Sequence, residues 1–348
     1  MTAMGDAVLE VADLRVEFRT DEGRAQAVRG VNYQLHRGEV LGIVGESGSG
    51  KSVASLAVMG LLPGSARVFG SVRFGGRSGG TELLGASDSE FSRVRGQGIS
   101  MIFQDPMSSL NPVYTVGYQI AEAIRAHHDV SRAAARKQAM ELLEAVSIPN
   151  PTERVDNYPH ELSGGMRQRV VIAIAMANRP EVIIADEPTT ALDVTVQAQI
   201  LEALRTAKVQ TGAAMLLITH DLGVIAGQAD RVLVMYAGRV VEAGTVEEIF
   251  YTPRMPYTLG LLGSQPRLDE RRTRLHPISG VPPSVIDLPS GCPFAPRCPL
   301  AAPVCEAEEP PLAATSSNGH LSACHFSDQL AGLEPGDLFR PLSRDTAS

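Results

Sequence analysis

Apolar and polar residues alternate over positions 8–18, the signature of a strand with one buried face. Asp21, Glu22 and Gly23 follow with turn chemistry, so the chain opens on a hairpin. Val40–Val44 is continuously apolar and runs into a glycine-rich loop, the pattern of a strand buried on both faces of an α/β sheet. Positions 51–62 have helical character and stop at Pro63 and Gly64. Residues 64–80, rich in Gly, Ser and Arg, contain two short β-like pieces, 66–69 and 71–74, and predict an antiparallel flap. From 116 to 146 apolar residues recur at helical spacing, which places a helical subdomain at about 105–178. Two further apolar runs, 182–185 and 214–219, flank a helical stretch, so the order is β-α-β and the sheet mostly parallel.

Beyond about Tyr251 prolines crowd the chain, which predicts a separate, irregular extension with a small core and a frayed tail from about Pro341. All four cysteines, Cys292, Cys298, Cys305 and Cys324, fall in this part. In a reducing compartment such a cluster points to a metal more than to disulfides. The 348 residues allow one large domain with an appendage, or two domains, and 44% hydrophobic residues are enough for a sizeable core. A formal net charge of −8 argues against a nucleic-acid partner, since counterion release needs a basic face. No apolar run approaches the roughly 20 residues that cross a bilayer, and the first residues lack signal-peptide order, so the chain is expected to stay in the cytoplasm.

Chemistry enters between the first buried strand and the first helix. Gly45-Glu-Ser-Gly-Ser-Gly-Lys51-Ser52 fits the phosphate-binding P-loop. The loop around Gly45, Ser47, Gly48, Ser49 and Gly50 turns backbone N–H groups onto phosphates, Lys51 adds a point charge, and the Ser52 hydroxyl can ligate Mg²⁺. The strand over 182–185 ends in Asp186 and Glu187, carboxylates at the carboxyl edge of the sheet where α/β sites form. Asp186 would act on Mg²⁺ and Glu187 would deprotonate the attacking water; without a P-loop upstream such a pair reads as a solvated strand end. A second phosphate-type element is Leu162-Ser163-Gly164-Gly165-Met166-Arg167-Gln168, where a helix begins with a hydroxyl and free N–H groups. With one complete cradle already present, it is either redundant or serves a nucleotide held by another molecule.

Taken together these elements resemble the ATP-binding cassette (ABC) family, the motor domain of ABC transporters. The fold this implies is an α/β P-loop NTPase with a RecA-like, mostly parallel core sheet, an antiparallel β subdomain and a helical subdomain. A nucleotide-binding domain would cover 1–263 and a Cys- and Pro-rich extension 264–348. Smaller motifs extend the resemblance. Gln104, after the apolar run 100–103, matches the family's Q-loop residue, in contact with Mg²⁺ and coupled to a membrane partner. His220 matches the switch histidine, and Ala191-Leu192-Asp193 the D-loop. Phe18 lies where an aromatic ring stacks on adenine, or else is a core-facing strand residue.

In this family two cassettes sandwich each ATP, so Ser163, Gly164, Gly165 and Gln168 would meet nucleotide on the partner and the chain would be half of a motor. Residues 104–112, 253–262 and 280–298 look like the oligopeptide, dipeptide and nickel permease branch, which extends the match over nearly the whole chain. That branch implies ATP-driven import of peptides, with nickel or another small solute, or a soluble non-transport ATPase, as alternatives. It also implies a second ATPase subunit (a paralogue or a second copy), two membrane-spanning permease subunits and an extracytoplasmic binding protein. The chain would then sit on the cytoplasmic face of the membrane. Some members of the branch carry an iron–sulfur cluster at these cysteines, which read Cys-x5-Cys-x6-Cys-x18-Cys; four thiolates suit [4Fe–4S] or tetrahedral Zn²⁺, with unoccupied thiols as the third alternative, and the spacing is not the C-x2-C of ordinary zinc ribbons.

Overall fold

The structure, a computed structural model, describes residues 7–21, 23–75, 80–190, 193–264, 277–315 and 319–339. Strands β1 (Ala7–Thr20) and β2 (Gly23–His36) form the opening hairpin, paired antiparallel from Thr20 with Gly23 back to Ala7 with His36. The short β3 (Val40–Val44) follows, and the flap is one strand, β4 (Ala66–Phe74), rather than two pieces. It stays continuous through Gly70 because that residue adopts φ +108°; a Cβ there would press on the carbonyls of Ala12 and Asp13. With β5 (Thr81–Glu82) these strands form a four-stranded antiparallel sheet in the order β2-β1-β4-β5.

The second sheet carries the chemistry. Strands β6 (Ile99–Ile102), β7 (Val182–Asp186), β8 (Ala214–Thr219), β3 and β9 (Arg231–Tyr236) lie parallel, and β10 (Arg239–Thr245) returns antiparallel on β9. The Ala237-Gly238 turn, both at positive φ, closes that hairpin. The five parallel strands are almost entirely buried, which explains their unbroken apolar runs.

Helix α1 (Lys51–Val58) leaves the glycine loop and is shorter than its apolar pattern suggests. It stops because Gly60 turns left-handed (φ +61°), where a Cβ would collide with the ring of Phe91. After α2 (Asp88–Val94), the helical subdomain comprises α3 (Pro106–Ser109), α4 (Val116–Arg125), α5 (Arg132–Ala145), α6 (Pro151–Arg154) and α7 (Gly164–Met176). Helix α8 (Val194–Thr211) crosses from β7 to β8.

The C-terminal segment is as irregular as its prolines imply, yet its packing is not separate. Strands β11 (Ala313–Ala314) and β12 (Leu321–Ser322) extend the core sheet through β10, where Glu242 pairs with Ser322. Phe294, Ala323, Leu330 and Phe339 share one core with β3, β8 and β9. Within it the Glu242 and His320 side chains, both inaccessible to solvent, meet at 2.8 Å.

Candidate functional site

The site forms at the carboxyl edge of the parallel sheet, where β3 and β7 end on either side of β8. Gly45 takes φ +158°, and a Cβ there would lie against the Met235 carbonyl and the Ser49 hydroxyl, so the loop seats close on β9. Gly48 and Gly50 are left-handed at φ +81° and +98°, and Gly50 forms the N-terminal boundary of α1 against the Ala27 carbonyl. Ser47 and Gly48 face solvent while Ser49 is buried. The Lys51 Nζ donates to the carbonyls of Gly45 at 2.8 Å and Glu46 at 3.0 Å, and burial lowers its pKa against the pull of Glu187, Asp186 and Glu46.

Ser52 Oγ donates to Asp186 Oδ1 at 2.9 Å. Burial raises the Asp186 carboxyl pKa despite this hydrogen bond and the nearby lysine. A hydroxyl and a buried carboxylate side by side are hard oxygen donors, a set that suits Mg²⁺.

Glu187 is the hub of the second layer. Its Oε2 accepts from Thr190 Oγ1 at 2.7 Å and from Gln104 Nε2 at 3.2 Å, and lies 3.2 Å from His220 Nδ1. Its backbone sits at φ 45°, uncommon for a residue with a side chain, and is held there by its N–H donating to the Ile218 carbonyl. Gln104 and His220 are exposed, so both polar tips lie at the mouth of the site. Thr190 escaped the sequence reading, since a threonine three residues after an acid carries no signal of its own.

Ser163 caps α7, accepting from the Met166 N–H, and its hydroxyl and Gly164 face solvent. Among the described residues, no hydrogen bond from Ser163, Gly164 or Gly165 reaches the glycine loop of the same chain. Gly165 is buried against Val196, whose Cγ1 lies 2.4 Å from where a Cβ would sit. Gln168, one helical turn on, is only 2% exposed, and its buried Nε2 has no hydrogen-bond partner among the described residues.

Asp193 caps α8 through the N–H groups of Thr195 and Val196. Its neighbours in the expected D-loop, Ala191 and Leu192, lie outside the described residues. Phe18 is half-buried on β1, packed at the edge of the antiparallel-sheet core.

The four cysteines are free. Cys292, Cys298 and Cys324 are mostly buried, which with a smaller contribution from charge on neighbouring cysteines raises their thiol pKa values, the last two to about 11 and about 12. Backbone N–H groups of Phe294 and Ala295 point to Cys292, that of Leu300 to Cys298 and that of Phe326 to Cys324. N–H donors at three of the four thiols are chemistry that suits a thiolate-bound group. Among the described residues their side chains do not converge into a closed metal-binding group.

A buried Walker-type lysine, a serine–aspartate pair and a glutamate hub at one sheet edge define an ATPase cassette. The chain belongs to the ATP-binding subunits of ABC transporters, in the oligopeptide and dipeptide branch. The ABC transporter family matches residues 28–190, and the oligopeptide/dipeptide transporter C-terminal region matches 241–305. The oligopeptide transport ATP-binding protein OppD of Mycobacterium bovis is 57% identical over 96% of this chain, which spans 54% of that protein, about half its length. The dipeptide transport ATP-binding protein DppD of Bacillus subtilis is 52% identical over 94% of this chain and 96% of its own length. Among solved structures, the cassette MJ0796, a dimer in a post-hydrolysis state bound to ADP and Pi, superposes with a TM-score of 0.60 at 27% identity, covering 68% of this chain and 98% of that one.

Proposed function

We propose that this chain is the ATP-hydrolysing subunit of an importer for di- and oligopeptides, working as a cassette dimer beneath two membrane-spanning subunits supplied by an external binding protein. The observation that carries the catalytic part is the Glu187 carboxylate at the sheet edge, next to the Ser52–Asp186 pair and held by Gln104, Thr190 and His220. The peptide branch is supported by the match over 241–305 and by the likeness to the oligopeptide and dipeptide subunits.

In this reading the loop from Gly45 to Ser52 wraps the phosphates with N–H groups, and Lys51 exchanges its two carbonyl partners for phosphate oxygens. Ser52, Asp186 and Gln104 would hold Mg²⁺, which when bound neutralises charge developing on the phosphates. Glu187 accepts the proton of the attacking water, and His220, 3.2 Å away, orients that carboxylate and the terminal phosphate. Phe18 stacks on the adenine. Ser163, Gly164 and Gly165, which make no hydrogen bond to the chain's own loop among the described residues, complete the site of the partner cassette, with Asp193 at the crossing.

Brought together, the four cysteines would hold a [4Fe–4S] cluster, in an extension (264–348) appended to the motor (1–263) and packed on its core sheet. No described helix is long and apolar enough to cross a membrane, which agrees with a subunit seated on its partners at the cytoplasmic face. The test is Glu187→Gln. It retains Mg-ATP binding, accumulates an ATP-bound dimer on gel filtration and loses phosphate release by about 10²-fold or more; full turnover in that variant overturns the assignment.

A further inference from the structure

The second residue of the glycine loop is gripped from the far end of the chain. Arg297 Nη1 and Nη2 bond the two Glu46 carboxylate oxygens at 2.7 and 2.9 Å, the bidentate geometry that a guanidinium favours. The arginine side chain is 5% exposed, lies 5.9 Å from the centre of the Tyr236 ring and 5.8 Å from that of Phe294, and also donates to Tyr236 Oη and to the Ser279 carbonyl. The same loop residue is held through its backbone, as the Glu46 N–H donates to Tyr257 Oη at 2.7 Å. Tyr236, Tyr257 and Phe294 pack ring on ring with centroids 4.6 to 5.4 Å apart, so both anchors rest on one aromatic wedge. The Glu46 carbonyl in turn accepts from Lys51. A continuous chain of contacts therefore runs from the segment between Cys292 and Cys298 to the phosphate-binding lysine.

We propose that Arg297 is a positioning residue for the phosphate loop: by clamping Glu46 it makes the cysteine segment a strut that sets the loop geometry for ATP. The physical argument is preorganisation. A loop whose entry is fixed from both side chain and backbone surrenders less freedom when phosphate arrives, and removing one member of a largely buried ion pair leaves the other charge uncompensated. No peptide N–H or catalytic carboxylate is altered by the clamp, so its effect falls on nucleotide affinity rather than on the chemical step.

The inference rests on ATP binding at this loop, and the experiment separates the two. Titrate Mg-ATP into the full purified chain and into Lys51→Ala, Arg297→Ala, Glu46→Gln and the Arg297→Ala/Glu46→Gln double variant, with melting temperatures measured alongside. K51A loses binding if the loop holds ATP; unchanged binding there sinks the nucleotide reading itself. With K51A silent, R297A and E46Q each weaken ATP binding about tenfold, the double variant weakens it no further than either single, and in R297A the KM for ATP rises while kcat at saturation changes little. Wild-type affinity in a folded R297A, or losses that add in the double variant, overturns the clamp. If R297A does not fold, E46Q decides alone, because it leaves the cysteine segment untouched: wild-type affinity in E46Q overturns the proposal.

Discussion

At the residue scale, the site concentrates charges that the fold holds at a cost. Asp186 is 5% exposed, and burial keeps its carboxyl above the ordinary range. A folded-state pKa above the unfolded one favours folding fully below the unfolded value of about 3.9, and that contribution is lost as pH rises through the raised one. At neutral pH the ionised carboxylate therefore opposes folding. Asp186→Asn keeps an oxygen that can accept from Ser52 while removing the charge, so by scanning calorimetry it should melt above wild type at neutral pH, with the gap closing on acidification. Its Mg-dependent ATP hydrolysis should be lost. A lower melting temperature than wild type at neutral pH would contradict this account. Glu187, the next residue, carries a left-handed backbone as well.

At the element scale, α7 and α8 meet through a glycine. Gly165 brings the start of α7 so close to α8 that a methyl group would overlap Val196. Gly165→Ala should destabilise the chain by about 1–3 kcal/mol through overpacking, and adding Val196→Ala should restore much of that in denaturant unfolding. If the double variant is less stable than G165A, the contact is not the cause. The same contact joins two motifs that are separate in sequence, since Val196 donates its N–H to the Asp193 cap. The glycine pair was legible as a phosphate-type helix start; that its second member is also a packing residue was not, because a glycine shows no sign of which surface needs its missing side chain.

At the scale of the whole molecule, the C-terminal segment is bonded to the motor at several points. Besides the Arg297 clamp, Glu309 receives Arg29 and Arg239, and β12 extends the core sheet. A thiolate-bound group would tie Cys292 to Cys324 and so brace the segment that carries Arg297. Anaerobically purified chain is expected to be brown, with about four iron and four acid-labile sulfide per chain. Colourless protein carrying stoichiometric zinc would replace the cluster with a zinc site.

The sequence by itself determined the parts whose chemistry is local. The glycine loop, the apolar strand ending in two acids and the helix opened by Ser163 each depend on neighbours only a few residues away, so spacing is enough to read the local backbone. It also marked the cysteine segment as distinct, through composition. Only the tertiary structure decided which distant groups meet: Arg297 on Glu46, Gln104 and His220 on Glu187, Val196 under Gly165, and the proline-rich segment on the edge of the core sheet. Those pairings are set by which surfaces are buried together, a property of the packed whole that periodicity along the chain does not encode.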